Sequence, residues 1–443
     1  MRYERAGYWA GALPRRAAAA RGSADRTGSG LYAGSMSDVT ERYEFGERLR
    51  RRREAAGMSR PVLASLAGCS SDALKRWENG ERGMPRTPVL AKLAMALGMT
   101  DLRDLLGGSV GMPIASGLIV IPAVAAIKTT VRTAMRAPLP QRAPEPLELD
   151  QRADAGWRVW HASPYQRTQV GELLPQLILD VHAASRMAGD LPGRRRAAAA
   201  MTQVYALTML TIGYVCEADL YWTVLDRVQM AAHDADQPHA LGLAAWCQGI
   251  ALRYSADPHE ALVAMTESLD ELVPHAADDD YEMQALIGSL HLASATALAQ
   301  DGVAGDAWHH WDQADSIAGA LPAGYWHRAT VFSRPNVEVH GVAMDASLSR
   351  LGDALDRADQ IDPDAVPSTE RVTRLRIDAA AAYHHRGEDQ AAVFQLQEAF
   401  RRGPENTRIV PAARSLVMDL QQTRAPSLSR AVDKLAEQMA MAV

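Results

Sequence analysis

The chain has 443 residues, of which 47% are hydrophobic and 23% are charged, and its formal net charge is −6. This length allows substantial hydrophobic cores in roughly two to three domains. The cysteines Cys69, Cys216 and Cys247 stand far apart without a CxxC spacing, which excludes a disulfide framework or a zinc site and indicates a reducing, cytoplasmic environment. Abundant alanine and the near absence of alternating strand patterns predict an all-α protein.

Residues 1–40 are predicted to form a disordered tail. The first 35 residues are rich in Arg, Ala, Gly and Ser and have no periodic apolar face. The pair Arg15-Arg16 and the alanines after it lack the apolar core and the cleavage site of a targeting segment. Because Met36 stands just before the next segment, we expect it to be a candidate start of translation.

Between Phe45 and Gly107, five short helical patterns follow one another, separated by Gly, Ser and Thr stops. The first helix has an apolar edge and an outer face of consecutive arginines, and it ends at Gly57. Ser59 is the predicted N-cap of the second helix. The fourth helix begins at Thr87-Pro88 and ends at Gly98, and a fifth begins at Thr100.

The third helix, from Ser71 to Glu78, follows a turn of only three residues, so it must cross the second helix steeply. Leu74 and Trp77 lie three positions apart and are predicted to face the interior. Four polar side chains then face outward: Ser71, Asp72, Lys75 and Arg76. A short helix that is apolar behind and forms hydrogen bonds in front can enter a DNA major groove.

In order and spacing, this segment resembles the DNA-binding domains of the Xre, Cro and lambda-repressor family. The matching pieces lie within the 63 residues from 45 to 107 and are Leu49-Arg50, Arg53, Gly57-Met58-Ser59, Leu63-Ala64, Gly68-Cys69-Ser70, Trp77-Glu78-Asn79-Gly80 and the stretch from Leu93-Ala94 to Leu97-Gly98. The resemblance implies a five-helix helix-turn-helix domain at 41–107 that binds double-stranded DNA.

Carried over by position, the resemblance implies three kinds of DNA contact. Base edges are contacted by Ser71, Asp72 and Arg76, the phosphate backbone by Arg60 and Asn79, and the minor groove by Arg86. The complete predicted DNA-binding set is Arg60, Ser70, Ser71, Asp72, Lys75, Arg76, Asn79 and Arg86. The resemblance also implies that Arg53 and Glu78 form a structural pair inside the domain rather than a DNA contact.

The predicted base-reading positions depart from the family, which often has glutamine where this chain has Arg60, Ser71 and Asp72. Arg76 can donate to guanine O6 and N7 together, and Asp72 can accept from a cytosine amine, so we expect a G·C-rich operator. Asp72 has an alternative role, because an acid in the first turn is stabilised by the helix dipole.

The charges are divided unevenly along the chain. Residues 45–107 contain twelve Lys and Arg against seven Asp and Glu, whereas residues 108–443 carry a formal charge of −13. A basic module on an acidic body is expected when only one end of a protein meets a polyanion.

Residues 108–150 are predicted to be a linker that contains Gly, Pro and apolar residues. The stretch from Leu105 to Ile127 has no charged residue and is long enough to cross a bilayer. Because its four glycines and two prolines make a poor continuous helix, we expect no membrane association. Instead, 118–127 is predicted to be a short strand or helix that docks on the next domain or on a partner chain. Pro138 to Pro146 indicates a second hinge.

The body, at 151–443, is predicted to be an α-solenoid of helix pairs. Its clearest repeat resembles a tetratricopeptide repeat, with small, aromatic, turn, bulky and proline positions at Ala380, Tyr383, Gly387, Ala392, Leu396, Ala399 and Pro404. Weaker copies contain Gly249, Ala261 and Met265, and Ala295, Ala307 and Trp311. The predicted pairs are 200–233, 238–273, 281–319, 335–361, 369–402 and 407–440.

Two features at the start of the body have alternative interpretations. The aromatic and aliphatic residues between Trp157 and Ile178 are expected to be core, with a cap on the first repeat or a subunit contact as the alternatives. The run from Arg194 to Arg196 is expected to be a solvated helix start, with binding of an anionic ligand or a partner carboxylate as the alternative.

No catalytic motif is present, and we predict that the chain is neither an enzyme nor a cofactor-binding protein. The pairs His309-His310 and His384-His385 point in different directions on a helix and do not form a metal site. The run from Asp278 to Asp280 lacks the spacing of a calcium loop.

The leading hypothesis is a nucleoid-associated transcriptional regulator that binds a palindrome as a homodimer. Its architecture resembles the peptide-sensing regulators of Gram-positive bacteria, which implies a helical-repeat domain for dimerisation and for sensing a ligand, peptide or protein. The alternative is a scaffold or antitoxin-like protein whose solenoid binds a protein partner and whose DNA binding is autoregulatory.

Overall fold

The computed structural model describes residues 36–80, 85, 87–97, 121–253, 258–423 and 426–441. Within these ranges the regular structure consists of twenty α-helices and three short 3-10 helices, with no strand. The all-α prediction is therefore confirmed. Arg86, the fifth helix of the predicted DNA-binding domain and most of the predicted tail lie outside the described residues.

The first four helices are α1 (Met36–Ala55), α2 (Arg60–Ala67), α3 (Ser71–Glu78) and α4 (Thr87–Ala96). Because α1 begins at Met36, the last five residues of the predicted 1–40 tail are helical, and that boundary was wrong. The sequence from Met36 to Phe45 contains neither Gly nor Pro, so nothing stops the helix from extending toward its N-terminus.

A small core holds these helices together. Phe45 and Leu49 from α1 pack with Leu63 from α2 and Leu74 from α3, and all four side chains are buried. Gly46 allows α1 and α3 to approach closely, since a Cβ at this position would collide with the carbonyl oxygen of Trp77. Packing across α1, α2 and α3 thus fixes which face of α3 remains outside.

The body contains sixteen α-helices within the described ranges. They are α5 (Pro122–Thr133), α6 (Pro146–Ala162), α7 (Gln166–Met187), α8 (Leu191–Ile212), α9 (Ala218–Ala235), α10 (Pro238–Leu252), α11 (Pro258–Leu272), α12 (Tyr281–Gln300), α13 (Ala304–Ala320), α14 (Arg334–Ser347), α15 (Leu351–Gln360), α16 (Thr369–His385), α17 (Asp389–Arg402), α18 (Pro404–Ile409), α19 (Pro411–Thr423) and α20 (Ser429–Gln438). From α6 onward, consecutive helices pack against one another, which confirms the predicted α-solenoid.

The predicted helix pairs correspond to α8–α9, α10–α11, α12–α13, α14–α15, α16–α17 and α19–α20. Their small residues lie where two helices approach most closely: Ala380, Ala392 and Ala399 are fully buried. Gly387 forms the turn between α16 and α17 with a φ of +78°, a conformation that glycine adopts without strain. The first pair begins earlier than predicted, at Leu191.

The predicted 108–150 linker was wrong in its second half. Helix α5 packs against α7, and its residues Ile127 and Val131 are buried in the main core. Lys128 forms an ion pair with Glu217, which adds a polar contact to the start of α9. Apolar residues at helical spacing bury α5 as part of the body. Of the segment 118–127, which was predicted to dock on the next domain or on a partner chain, residues 118–120 lie outside the described residues.

The segment from Pro138 to Pro146 joins two parts of the same core, because Ala134 before it and Leu149 after it are both buried there. Most of the core residues predicted between Trp157 and Ile178 are also buried, whereas Tyr165 and Leu173 are exposed. Within the described ranges, no helix is both long enough and apolar enough to cross a membrane.

A long-range polar contact brings the end of the body back to its beginning. The Glu405 carboxylate accepts hydrogen bonds from the backbone nitrogens of Arg167 at 2.6 Å and of Thr168 at 3.1 Å, both in the first turn of α7. Arg167 Nη1 donates to Asn406 Oδ1 at 2.8 Å. His161 on α6 donates from Nε2 to the carbonyl oxygen of Arg328 at 2.9 Å. The body therefore encloses an interior space rather than remaining an open array.

Acid is expected to destabilise this fold through its buried histidines. His182 lies 2.8 Å from the hydroxyl of Tyr205, and burial, with a smaller contribution from Arg227 and Arg186, lowers its pKa from 6.5 to about 4. The unfolded chain then binds a proton that the folded chain does not, so stability is lost as the pH falls from 6.5 toward 4. His182→Gln should flatten the fall in unfolding free energy by up to ~1.4 kcal/mol per pH unit.

Urea unfolding at about pH 7, 6 and 5 measures this slope. The control is His275→Gln, because His275 is exposed and its replacement should leave the slope unchanged. Equal slopes for the His182 variant and the parent chain would show that His182 is not the group that takes up the proton.

Candidate functional site

Helix α3 is held at its start by Ser70. This residue has an extended backbone and its Oγ accepts a hydrogen bond from the backbone nitrogen of Ala73 at 3.1 Å. Such a side-chain cap satisfies one of the free N–H groups of the first turn. The structure therefore gives Ser70, predicted as a DNA contact, a definite internal role.

The outward face of α3 carries the predicted residues Ser71, Asp72, Lys75 and Arg76, all of them exposed. Asp72 Oδ2 lies 3.2 Å from Arg76 Nε, one turn further along the helix. An exposed pair of this kind contributes little to stability, so both groups are available to a ligand at small cost. Asp72 lies in the first turn of α3, where the helix dipole stabilises a carboxylate, as its alternative structural role requires.

The opposite face of α3 is anchored in the core by Leu74 and Trp77 and by one buried carboxylate, Glu78. Arg53 on α1 binds this carboxylate with two nitrogens, Nε to Oε1 at 2.6 Å and Nη2 to Oε2 at 3.2 Å. The hydrogen bond to Glu78 raises the pKa of Arg53, against the opposing effect of burial. The Glu78 side chain is 0% exposed. The structure thus contains the predicted pair.

The same carboxylate also binds α2, because Arg60 Nε donates to Glu78 Oε2 at 2.7 Å. Arg60 was predicted to contact phosphate, and no pattern in the sequence indicates this second bond. Its side chain remains 35% exposed and lies in a cleft that is also lined by Ser71, Asp72 and Lys75. One guanidinium edge is therefore fixed internally while the side chain still borders the outward face of α3.

The remaining predicted contact residues lie at or beyond the end of α3. Asn79 is exposed directly after the helix, and its backbone nitrogen donates to the carbonyl oxygen of Lys75 at 3.0 Å. Arg86 lies outside the described residues. The structure therefore brings Arg60, Ser71, Asp72 and Lys75 together around one cleft, with Arg76 one turn away on the same helix.

The motifs singled out in the body have ordinary partners. Arg195 forms an ion pair with Asp236, His310 Nδ1 lies 2.9 Å from His291 Nδ1, and His384 Nδ1 lies 2.7 Å from Asp389. Among the described residues, no three His, Cys, Asp or Glu side chains are grouped as a metal site would require.

Sequence reasoning missed a charged cavity inside the body. Its lining includes Arg167, Arg253, Glu370, Arg371 and Arg374, which come from three separate helices or their ends. The only signal in the sequence is on α16, where Glu370, Arg371 and Arg374 share a helix with strongly apolar neighbours. The other two arginines carry no local pattern.

Removing the Glu78 charge should lower the free energy of unfolding of the domain that α1 to α4 form. In Glu78→Gln, Arg53 remains buried with only the exposed Glu54 as an ionic partner, and breaking a buried pair typically costs ~3 kcal/mol or more. Urea unfolding of the chain, with helix content followed by circular dichroism, should show an earlier transition. The matched control is Glu54→Gln, since Glu54 is 53% exposed and also contacts Arg53. Equal losses in the two variants would contradict a special role for the buried carboxylate.

Residues 44–106 match a protein-family model described as a helix-turn-helix domain. A curated relative, the HTH-type transcriptional repressor RghR of Bacillus subtilis (strain 168), is 43% identical over 53 residues, which are 12% of this chain and 39% of that protein. The match thus spans about two fifths of the relative's length.

Two solved structures are similar over a longer span. Apo ComR from S. thermophilus has 14% identity and a TM-score of 0.30, covering 79% of this chain and 99% of that chain. PlcR from Bacillus thuringiensis, in complex with the peptide PapR7 and DNA, has 13% identity and a TM-score of 0.29, covering 83% and 99%. TM-scores of this size are too low to define a shared fold. Together, the family match and the geometry of α1 to α4 identify residues 44–106 as a helix-turn-helix domain.

Proposed function

We propose that the chain is a sequence-specific DNA-binding transcriptional regulator whose helical body supplies the regulatory input. The observation that carries the proposal is the division of α3 into two faces. Leu74, Trp77 and Glu78 fix one face in the core, while Ser71, Asp72, Lys75 and Arg76 are exposed on the other. A rigid helix of this kind positions hydrogen-bonding groups for a major groove.

Electrostatics support the same function. The excess of Lys and Arg in residues 45–107 attracts the phosphate backbone, whereas the acidic remainder of the chain does not. Arg76 is the residue best suited to read a base, because a guanidinium can donate twice to one guanine. Arg60 is suited to phosphate, since its Glu78 bond holds the guanidinium beside the head of α3.

The quaternary part of the proposal is a homodimer that binds two half-sites of a palindrome. Two copies of α3 then contact successive major grooves on one side of the duplex. Sedimentation of the free chain and of its complex with DNA measures the stoichiometry directly. The proposal requires a cytoplasmic location and involves no catalytic step.

Arg76→Ala is expected to weaken operator binding by ~1–3 kcal/mol and to relax the base preference at one position of each half-site. Arg60→Ala is expected to weaken binding evenly across sequences and to reduce its salt dependence, as loss of a phosphate contact does. Genomic fragments are first selected by binding to the full chain, and affinities are then measured by fluorescence anisotropy at several salt concentrations.

The control variant is Arg386→Ala, which removes the same charge from an exposed position in the body. It should retain parental affinity and base preference. Absence of any salt-dependent binding to genomic fragments would contradict the regulator. Equal effects of the Arg76 and Arg386 variants would contradict the assignment of α3 as the base-reading helix.

A further inference from the structure

The cavity enclosed by the body has a volume of about 100 Å³. Helices α6, α7, α8, α9, α10 and α16 line it, together with the segments that follow α8 and precede α14. A narrower extension of about 20 Å³ shares Trp246, Ile250, Arg253 and Arg371 with it and continues toward Asn336. Tens of cubic ångströms are enough to hold several non-hydrogen atoms, so the space is large enough for a small molecule.

Positive charge predominates in this lining. Four arginines face one carboxylate: Arg167, Arg253, Arg371 and Arg374 against Glu370. Glu370 lies 3.3 Å from Arg371 Nε and 3.7 Å from Arg374 Nε. Burial raises the pKa of Glu370, but these arginines outweigh it and the pKa is lowered, so the carboxylate is ionised. It balances the charge of only one of the four arginines.

Acids outside the lining reduce this excess without cancelling it. Glu405 lies behind Arg167, where it accepts hydrogen bonds from the backbone N–H groups of α7, and its charge partly offsets the lowering of the Arg167 pKa by burial. Asp378 stands further along α16, and although burial raises its pKa to about 6, the carboxylate is still mostly ionised at physiological pH and lies close enough to act on Arg374 and Arg371. Counted with Glu370 and Glu405, it leaves the four arginines with one positive charge in excess. The histidine that lines the cavity, His161, is neutral at physiological pH because burial lowers its pKa to about 4.

Arg167 shows the resulting imbalance most clearly. Its side chain is almost fully buried, its Nη1 binds Asn406, and its guanidinium carbon lies 5.1 Å from the centre of the Trp160 ring. Its Nε, like that of Arg253, is buried without a hydrogen-bond partner among the described residues. Burying a cationic donor without a partner is costly, and an anion in the cavity removes that cost.

The rest of the lining is apolar and aromatic. Trp160, Tyr221 and Trp246 provide flat surfaces, and Met209 and Ile250 provide aliphatic ones. Predominantly hydrophobic walls with a few convergent polar groups are characteristic of small-molecule sites. The arginines favour a negatively charged group on a ligand, whereas these walls favour an apolar remainder of the same ligand.

Two lining residues have a strained backbone. Tyr214 has a φ of 67° and Val331 a φ of 61°, which lies in the left-handed region. A positive φ is a genuine outlier for a β-branched residue such as valine. Strain of this kind is concentrated at ligand-binding positions, where the surrounding structure maintains it.

We propose that this cavity binds a small organic acid. The carboxylate of the acid lies at Arg167, Arg253 and Arg371, and its aromatic or branched apolar group packs against Trp160 and Trp246. The regulatory meaning of this site rests on the proposed function, because the acid is then the signal that the regulator detects. Binding itself does not depend on DNA. A volume of about 100 Å³ favours a small free acid over a whole peptide.

The test uses the full chain without DNA and measures binding by isothermal titration calorimetry and by the shift in Tm. The probes are phenylacetate and indole-3-acetate, each paired with its neutral amide. We expect the acids to bind at least about tenfold more tightly than the amides, as loss of hydrogen bonds to charged groups implies. Arg371→Met should reduce acid binding by a similar factor, and Arg386→Met, an exposed residue after the same helix, should not.

Two further variants separate binding from folding. Arg253→Met tests the same site from α10 if the Arg371 variant does not fold. Glu370→Gln removes the one lining carboxylate and should tighten acid binding, whereas a purely structural role of the charges predicts a lower Tm with no gain in affinity.

Equal binding of acids and amides, or equal acid binding by the parent chain and by both arginine variants, overturns the proposal. A peptide ending in phenylalanine, with a free or an amidated C-terminus, is the competing ligand, and tighter binding of the amidated form than of the free acids also overturns it. A chain that binds the acids but no DNA contradicts the proposed function and leaves the site intact.

Discussion

The contact on which the helical body depends is the capture of the α7 N-terminus by Glu405. In a simple solenoid each repeat touches only its neighbours, and the two ends remain apart. Here one carboxylate accepts from two backbone N–H groups more than 230 positions away in the sequence. The bonds are charge-assisted, and the helix dipole strengthens them. Together with the hydrogen bond from Thr369 Oγ1 to the carbonyl oxygen of Ala162 at 3.3 Å, this contact holds α16 and α18 against α6 and α7. The arginines of α7 and α16 therefore face a common space.

In the DNA-binding domain, a single buried carboxylate likewise joins helices that are separate in the sequence. Glu78 joins α3 to Arg53 of α1 and to Arg60 of α2, so three helices share one ionic centre. A buried charge of this kind is weak evidence for added stability, since desolvation offsets much of the attraction. Its consequence is orientation: α3 has one rotational setting in which Glu78 meets both arginines, and that setting places Ser71, Asp72, Lys75 and Arg76 outside. The buried ion pairs of Glu78 therefore determine which side chains of α3 are exposed to a ligand.

Features specified by short stretches of sequence could be predicted, and features specified by distant partners could not. The bounds of α3 and the helix pairs of the body follow from glycine stops, proline starts and small residues at helical spacing, all of which act locally. The Arg53–Glu78 pair was available through resemblance. By contrast, Arg167 has no distinguishing local pattern, and its importance comes from Glu405 and Asn406 near the opposite end of the chain. The run from Arg194 to Arg196 is more conspicuous in the sequence than Arg167 is. In the structure, however, Arg195 forms only an ion pair with Asp236 at the surface.

The position of the cavity restricts how a ligand can act. A ligand can favour one arrangement of a protein only by the difference in its affinity for that arrangement and for the alternatives. An acid that bridges Arg167 and Arg371 therefore favours the arrangement in which α7 and α16 face each other, as they do in this structure. Helix α7 is the physical link between the cavity and α5, because it contributes Arg167 to the cavity and packs closely on α5, where Gly171 leaves room for Ala123. Helix α5 is the first described helix after α4 along the chain. The Gly171–Ala123 packing contact therefore joins the wall of the cavity to the helix that precedes the rest of the body in the chain, and side-chain bulk at Gly171 would separate α7 from α5 without touching the lining of the cavity or the exposed face of α3.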